Sequence, residues 1–309
     1  MLKFDKLKLV TKTEFIKIEA EHAFEKIIRN NTTTSLKFNI TSPYLLYIEI
    51  DYIENELVIE FSGKILGNAY KKLISAATIR QCFENINLIG VCSLDIERIL
   101  EDTVIVKCDV TQDVECDDIA GITTYVRSNL SNYNQYTAKL HRNGNFVVEK
   151  NVTTRQAKKR LTIYDKNREM NRTENRNFMS AYHIPETDFE HVCRFEMNLN
   201  SIAQIKASLK IPDTQLMTVL TADGNPIAEF IDDIVANTDE MIPLTDKQTY
   251  ITTLVLRDCN NDLAEVEAKM RQIYSQGTNI SKIMKPYREA LAKKSESKFT
   301  KSDLLQMLR

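Results

Sequence analysis

The sequence predicts an α+β fold, a largely antiparallel sheet with helices packed on one face, followed by a mainly helical C-terminal region. Two observations carry this. Short segments rich in β-branched and aromatic residues recur between turn residues through about residue 210, and helical spacing takes over after Ser201. In chain order, residues 44–52 and 56–61 are rich in Ile, Tyr and Val and flank Glu54-Asn55, which predicts a hairpin. Helical spacing covers residues 68–88 and 117–130. Residues 136–140 and 146–149 flank Asn143-Gly144-Asn145, the chemistry of a tight hairpin turn. Beyond Ser201, Pro212, Pro226 and Pro243 punctuate short segments with an acidic middle, and residues 263–274, 280–294 and 302–309 read as helices. This organisation predicts a first domain over 1–205 and a C-terminal region over 206–309.

Composition bounds the function. The 41 Lys and Arg residues stand against 43 Asp and Glu, a formal net charge of -2, so attraction to nucleic acid must come from local patches. One patch runs from Lys150 to Arg176, where nine basic residues face three acidic ones. Six cysteines lack C-x-x-C spacing, which suits small buried side chains in a reducing cytoplasm. Neither a signal peptide nor an apolar run long enough to span a membrane is legible, so no membrane partner is expected.

Alternation of side chains along three further segments gathers polar residues on one face. In residues 104–110 the apolar set Val104, Val106, Cys108 and Val110 leaves Lys107 and Asp109 opposite. In residues 192–199, Cys193, Phe195, Met197 and Leu199 leave Arg194, Glu196 and Asn198 opposite. In residues 160–166, Leu161 and Ile163 turn inward, and Thr162, Tyr164 and Lys166 outward. If these strands are neighbours, one sheet face collects a nucleophile, two cations and two carboxylates, a set suited to metal-assisted phosphoryl transfer. Plainer readings stand beside this. Tyr164 could be a cross-strand packing residue, Arg194 and Glu196 a surface ion pair, and Asp109 the start of a solvated acidic turn running through Asp113 to Asp118.

Four segments in this order resemble the replication initiators of the gene II and gene X type from filamentous phages, which have relatives on plasmids. They are residues 60–68 (EFSGKILGN), the strand ending in Lys107-Cys108-Asp109, residues 161–169 (LTIYDKNRE) and residues 193–199 (CRFEMNL). In the first, the lysine follows the serine by two residues, a departure from the family's Ser-x-x-Lys pattern. The resemblance implies a strand-specific DNA endonuclease and strand transferase that starts rolling-circle replication. Tyr164 matches the nucleophile that becomes 5′-phosphotyrosyl-linked, and Lys166 matches the motif's lysine, which steadies the phenolate and the added charge. Arg194, on the same face, is expected to stabilise that charge beside it. Asp109 and Glu196, with Glu169 as a third candidate, match acidic positions able to hold a divalent cation. Many rolling-circle nucleases use a His-hydrophobic-His strand, which this chain lacks. A carboxylate site therefore favours Mg²⁺ or Mn²⁺.

DNA contacts are expected from Lys64, Arg155, Lys158, Lys159, Arg160 and Arg168. The partner implied is origin DNA, single-stranded or as an extruded hairpin, with a host helicase and polymerase acting on the product. Oligomeric state is left open. Two other readings remain: an origin-binding or regulatory protein without catalysis, and a metal-dependent nuclease that uses water.

Overall fold

The computed structural model describes residues 2–130, 136–150, 159–235, 247–259, 262–275, 277–295 and 299–309. Among the described residues twelve strands form: β1 Phe4–Lys12, β2 Ile16–Ile18, β3 Glu25–Arg29, β4 Thr32–Ile40, β5 Leu46–Asp51, β6 Glu56–Ser62, β7 Cys92–Leu94, β8 Val104–Glu115, β9 Tyr136–Leu140, β10 Phe146–Lys150, β11 Arg160–Asp165 and β12 Val192–Leu199. Ten of them make one antiparallel sheet in the order β3-β4-β5-β6-β1-β8-β12-β11-β10-β9, and β2 pairs with β7 alone. The helices are α1 Ile79–Leu88, α2 Ile96–Glu101, α3 Ile119–Ser128, α4 Lys166–Met170, α5 Thr173–Ala181, α6 Ile202–Leu209, α7 Leu216–Leu220, α8 Pro226–Ile234, α9 Lys247–Asp258, α10 Leu263–Ile273, α11 Ile280–Ser295 and α12 Lys301–Met307. The fold is thus α+β with a large antiparallel sheet and a helical C-terminal region.

Both expected hairpins form, the first turning at Asn55 with φ 55° and the second at Gly144 with φ 84°. The helix expected over 68–88 is two elements. A 3₁₀ stretch over Gly63–Lys72 breaks at Leu73, whose φ is 59°, before α1 begins. Leu7, Leu9, Phe61, Cys193, Phe195, Met197, Leu199, Leu161 and Ile163 are all buried on one sheet face. Phe83 of α1 packs edge-on against Phe61 at 5.9 Å, which sets that helix on the apolar face. All six cysteines are buried.

One expected face is corrected. Between β1 and β8 the pairs Lys8↔Lys107 and Leu9↔Ile105 leave Val106 as an extra residue, which reverses the alternation. Ile105 is therefore the core residue there, and Val104 and Val106 are only half-buried. The acidic run is also not a turn from its start: β8 continues to Glu115, so Asp113 is a strand residue.

Two compact units divide the chain differently from a cut at 205. One comprises Met1–Asp117 with Asn134–Glu229, and the other Asp118–Tyr133 with Phe230–Arg309. The first unit keeps α6 and α7, because α6 packs on β8 and β12 and the backbone of Leu216, at the start of α7, bonds to Thr103. In the second, α9, α10 and α11 bury Leu256, Val266, Met270, Met284 and Tyr287 in a common core. Among the described residues no helix is long and apolar enough to cross a membrane.

Candidate active site

The polar sheet face at β1, β8, β12 and β11 brings the expected residues close together, by register. Arg194 of β12 lies between Asp113 of β8 and Tyr164 of β11, Glu196 between Thr111 and Thr162, and Asn198 between Asp109 and Arg160. Tyr164 donates its hydroxyl to Glu196 Oε2 at 3.1 Å. The other oxygen of Glu196, Oε1, accepts a long contact from the Asn198 amide at 3.4 Å, and the same amide donates to Asp109 Oδ1 at 2.6 Å. A chain of polar contacts therefore links the tyrosine to both carboxylates.

Burial sets the electrostatics. Desolvation, and then the nearby charges of Asp5 and Asp109, push the Glu196 carboxyl up to about 7. Asp109 is pushed up to about 6, again by burial, with the Asn198 hydrogen bond opposing. The Tyr164 phenol is 8% exposed, and burial followed by the charge of Glu196 holds its pKa well above the usual tyrosine range.

The cations sit at the other side of Tyr164 and are already engaged. Arg194 is fully buried, with Nε and Nη2 on the two oxygens of Asp113 at 2.6 and 2.7 Å and Nη1 on Asp5 at 2.9 Å. A buried guanidinium needs such partners, since a charge stripped of water is tolerated only when paired. Lys166, 1% exposed, donates to Tyr70 Oη at 2.7 Å and to Glu169 Oε2 at 2.5 Å. Burial, then the neighbouring Arg194, lowers its pKa. Its ammonium lies 5.9 Å from the centre of the Tyr164 ring. It is placed by α4 rather than by β11, because Asp165 caps that helix by accepting from the Arg168 N–H.

Glu169 thus belongs to a different group from Asp109 and Glu196. It bonds Lys166 and the side-chain amide of Asn175, whose carbonyl oxygen accepts from Lys64 at 2.6 Å. Among the described residues no cluster of three or more His, Cys, Asp or Glu side chains is poised to hold a metal. Asp109 and Glu196 do fit a hard cation that keeps most of its waters. They are two desolvated carboxylates with raised pKa values, whose mutual repulsion a bound cation would relieve.

Of the expected DNA contacts, Arg160 is exposed and donates to Asn198 Oδ1 at 3.1 Å, Lys159 is half-buried, and Arg168 is exposed over the Gly144 turn. Lys64 is half-buried against the Phe178 ring. Arg155 and Lys158 lie outside the described residues.

Sequence reasoning missed Asp5 and Tyr70, the hub of the group. Tyr70 is 1% exposed, donates to Asp5 Oδ1 at 3.1 Å, and accepts from Lys166 and from Arg194 Nη1 at 3.2 Å. Asp5 reaches Arg194 because Phe4↔Val110 is followed by Lys6↔Asp109, which leaves Asp5 as an extra residue in β1. Tyr70 arrives on the 3₁₀ stretch after β6, under a small core that includes Phe178, Phe189 and Met170.

Comparison with protein-family models, with curated proteins and with solved structures finds no significant match.

Proposed function

We propose that this chain is a replication initiator of the rolling-circle type: a site-specific endonuclease and strand transferase that cuts one strand of origin DNA through Tyr164. The Tyr164–Glu196 hydrogen bond, set on one polar face beside Asp109, Asn198 and Lys166, is the observation that carries this reading. Tyr164 Oη attacks phosphorus in line and the bond to the 3′-oxygen breaks. The phenolic proton passes to Glu196 Oε2, and water protonates the departing 3′-oxygen. In the metal-free chain burial holds that carboxyl near 7, so it takes up a proton more readily than an ordinary carboxylate. The 5′-phosphotyrosyl bond keeps the phosphodiester energy, so the same site can rejoin the strand, while the free 3′-hydroxyl serves a host polymerase working with a helicase.

Asp109 and Glu196 would hold Mg²⁺ or Mn²⁺, which when bound supplies positive charge at the scissile phosphate. Lys166 contributes positive potential from beneath the tyrosine ring. Arg194 acts through others, because Asp113, Asp5 and Tyr70 take its donors: it fixes the strand that carries Glu196. Six buried cysteines are in keeping with a reducing cytoplasm as the place of action.

A water-using nuclease is the second reading. The burial of Tyr164 favours it, since the phenol must be uncovered before it can attack. One assay separates the two. The protein is incubated with a randomised pool of single-stranded oligonucleotides and Mn²⁺, then run on a denaturing gel. The tyrosine mechanism gives a protein–DNA adduct that survives denaturation, and Tyr164→Phe abolishes it. Cutting with no adduct, unchanged in Tyr164→Phe, means that water attacks.

A further inference from the structure

A groove of about 380 Å³ opens on the polar sheet face beside Asp109 and Asn198, and a second of about 380 Å³ continues it toward β4 and β5. Lys6, Lys8 and Glu60 line both, so the two form one channel across the sheet. Its floor is a row read straight from the register: Asn39 pairs with Tyr47, Tyr47 with Glu60, Glu60 with Lys8, and Lys8 with Lys107.

The charges in that row are not balanced internally. Lys8 and Lys107 stand directly opposite each other on antiparallel strands, an arrangement that costs stability unless an anion lies between them. Lys6 and Lys8 share a single carboxylate, Glu60, with Lys8 as far as 3.7 Å from it. Among the described residues no carboxylate forms an ion pair with the exposed Lys107. Lys6 and Lys8, two residues apart on one strand face, are separated by about 7 Å, a spacing comparable to successive phosphates of an extended strand. At the far end Tyr47 and the exposed Leu45 add an aromatic and an apolar surface. Glu49, Glu149 and Asp109 line the channel as well, Glu49 being held by Lys37 and by the Tyr47 hydroxyl, so the cationic charge open to a ligand is local, at Lys8 and Lys107. A cationic pair beside an aromatic ring suits a single nucleic-acid strand, whose bases stack as its phosphates pair.

We infer that this channel is the binding track of a single DNA strand, with its phosphates on Lys6, Lys8 and Lys107 and a base on Tyr47. The inference rests on the proposed strand-cutting function and deepens it: the track leads through Asp109 and Asn198 to Glu196 and Tyr164. None of these three lysines belongs to the basic segment around the tyrosine, and Lys107 shares β8 with Asp109.

The test is fluorescence anisotropy of a labelled deoxythymidine oligomer over a salt series, using the full chain without divalent cation. Lys8→Ala combined with Lys107→Ala should weaken binding roughly tenfold or more at low salt. It should also lower the salt slope by about 1.4, some 0.7 for each phosphate no longer neutralised. Thermal stability should not fall, because a repulsive pair has been removed, and this separates a weaker grip on DNA from a failure to fold. Tyr47→Leu should weaken binding roughly tenfold and leave the slope alone. Inorganic phosphate is the competing arm. A slope unchanged in the double variant overturns the track, as does a wild-type chain that does not bind the oligomer. Phosphate displacing the oligomer at equal concentration of phosphate groups would mark a free-anion site and overturn it as well. Tyr164→Phe should bind like the wild type. If the lysine variant lowers the slope as stated and the wild-type chain forms no adduct with Mn²⁺, the tyrosine chemistry fails and the track stands; a wild-type adduct with an unchanged slope in the lysine variant is the reverse.

Discussion

Glu196 holds two tasks on its two oxygens, one toward the Tyr164 phenol and one toward Asn198 and Asp109. Its pKa, raised from 4.5 to about 7 by burial and by like charges, has a consequence for stability. A carboxyl that holds its proton more tightly when folded favours the folded state below about pH 4.5, and that contribution is lost as pH rises toward 7. Asp109, raised from 3.8 to about 6, acts in the same direction over a lower window. Denaturant unfolding in EDTA should therefore show a fall of about 1–3 kcal/mol attributable to Glu196 between pH 4.5 and 7. Glu196→Gln should flatten this fall and be the more stable protein at pH 8. A wild-type stability that rises through this window, with no difference in the variant, would contradict the buried-carboxyl reading. Arg194→Ala should cost about 3–5 kcal/mol by leaving Asp113 and Asp5 without their buried partner, so thermal unfolding should drop sharply even with no DNA present. At this scale the sequence is readable where period two holds. Arg194, Glu196 and Asn198 share a face as their spacing says. Asp5 and Tyr70 are not readable, the first because an extra residue in β1 turns it, the second because it comes from a 3₁₀ turn far along the chain. Glu169 does carry a local signal: three residues after Lys166 on a helix, it is the natural partner of that lysine rather than a ligand beside Asp109.

At the scale of elements, the connection from β6 to α1 carries Tyr70 into the site, and Gly67 lets it do so. Gly67 has φ +57°, and a Cβ there would meet the Tyr182 ring at 2.6 Å. Tyr182 in turn bonds the hydroxyl of Tyr44 and packs on Phe178, part of the small core over Tyr70. Gly67→Ala should therefore cost about 1–3 kcal/mol and lower the melting temperature, whereas Gly90→Ala, where nothing lies within 4 Å, should cost less. Equal effects at the two positions would mean that the close approach of Tyr182 is unimportant. Hairpins are legible because their turn residues are chemically distinctive: Asn55 and Gly144 both take positive φ. The 68–88 helix is overextended by apolar spacing, which does not reveal a break at a leucine of positive φ, Leu73, that tertiary contacts must hold. The Val106 bulge is hidden for a similar reason: either alternation of Val104-Ile105-Val106 is apolar, so periodicity does not choose between them.

For the whole molecule, a net charge of -2 gives no long-range pull on DNA, so the proposed strand binding rests on local charges of the sheet's polar face. In the C-terminal unit basic side chains are paired locally, with Lys269 on Asp258, Arg271 on Glu267 and Lys301 on Asp232. Cation binding should follow the carboxyl pKa values. Titration calorimetry with Mn²⁺ should give weak binding at pH 5.5 and clearly tighter binding at pH 8, since Asp109 and Glu196 must lose their protons first. Equal affinity at both values would place the cation on other ligands. Whether Tyr164 is the attacking group is decided by peptide mass spectrometry of protein treated with single-stranded DNA and Mn²⁺ and then digested with nuclease and protease. Attack by Tyr164 leaves a nucleotide remnant joined through phosphate to the peptide containing that residue, and no such mass in Tyr164→Phe; a remnant on another residue, or strand cutting with every tyrosine unmodified, would overturn the tyrosine mechanism.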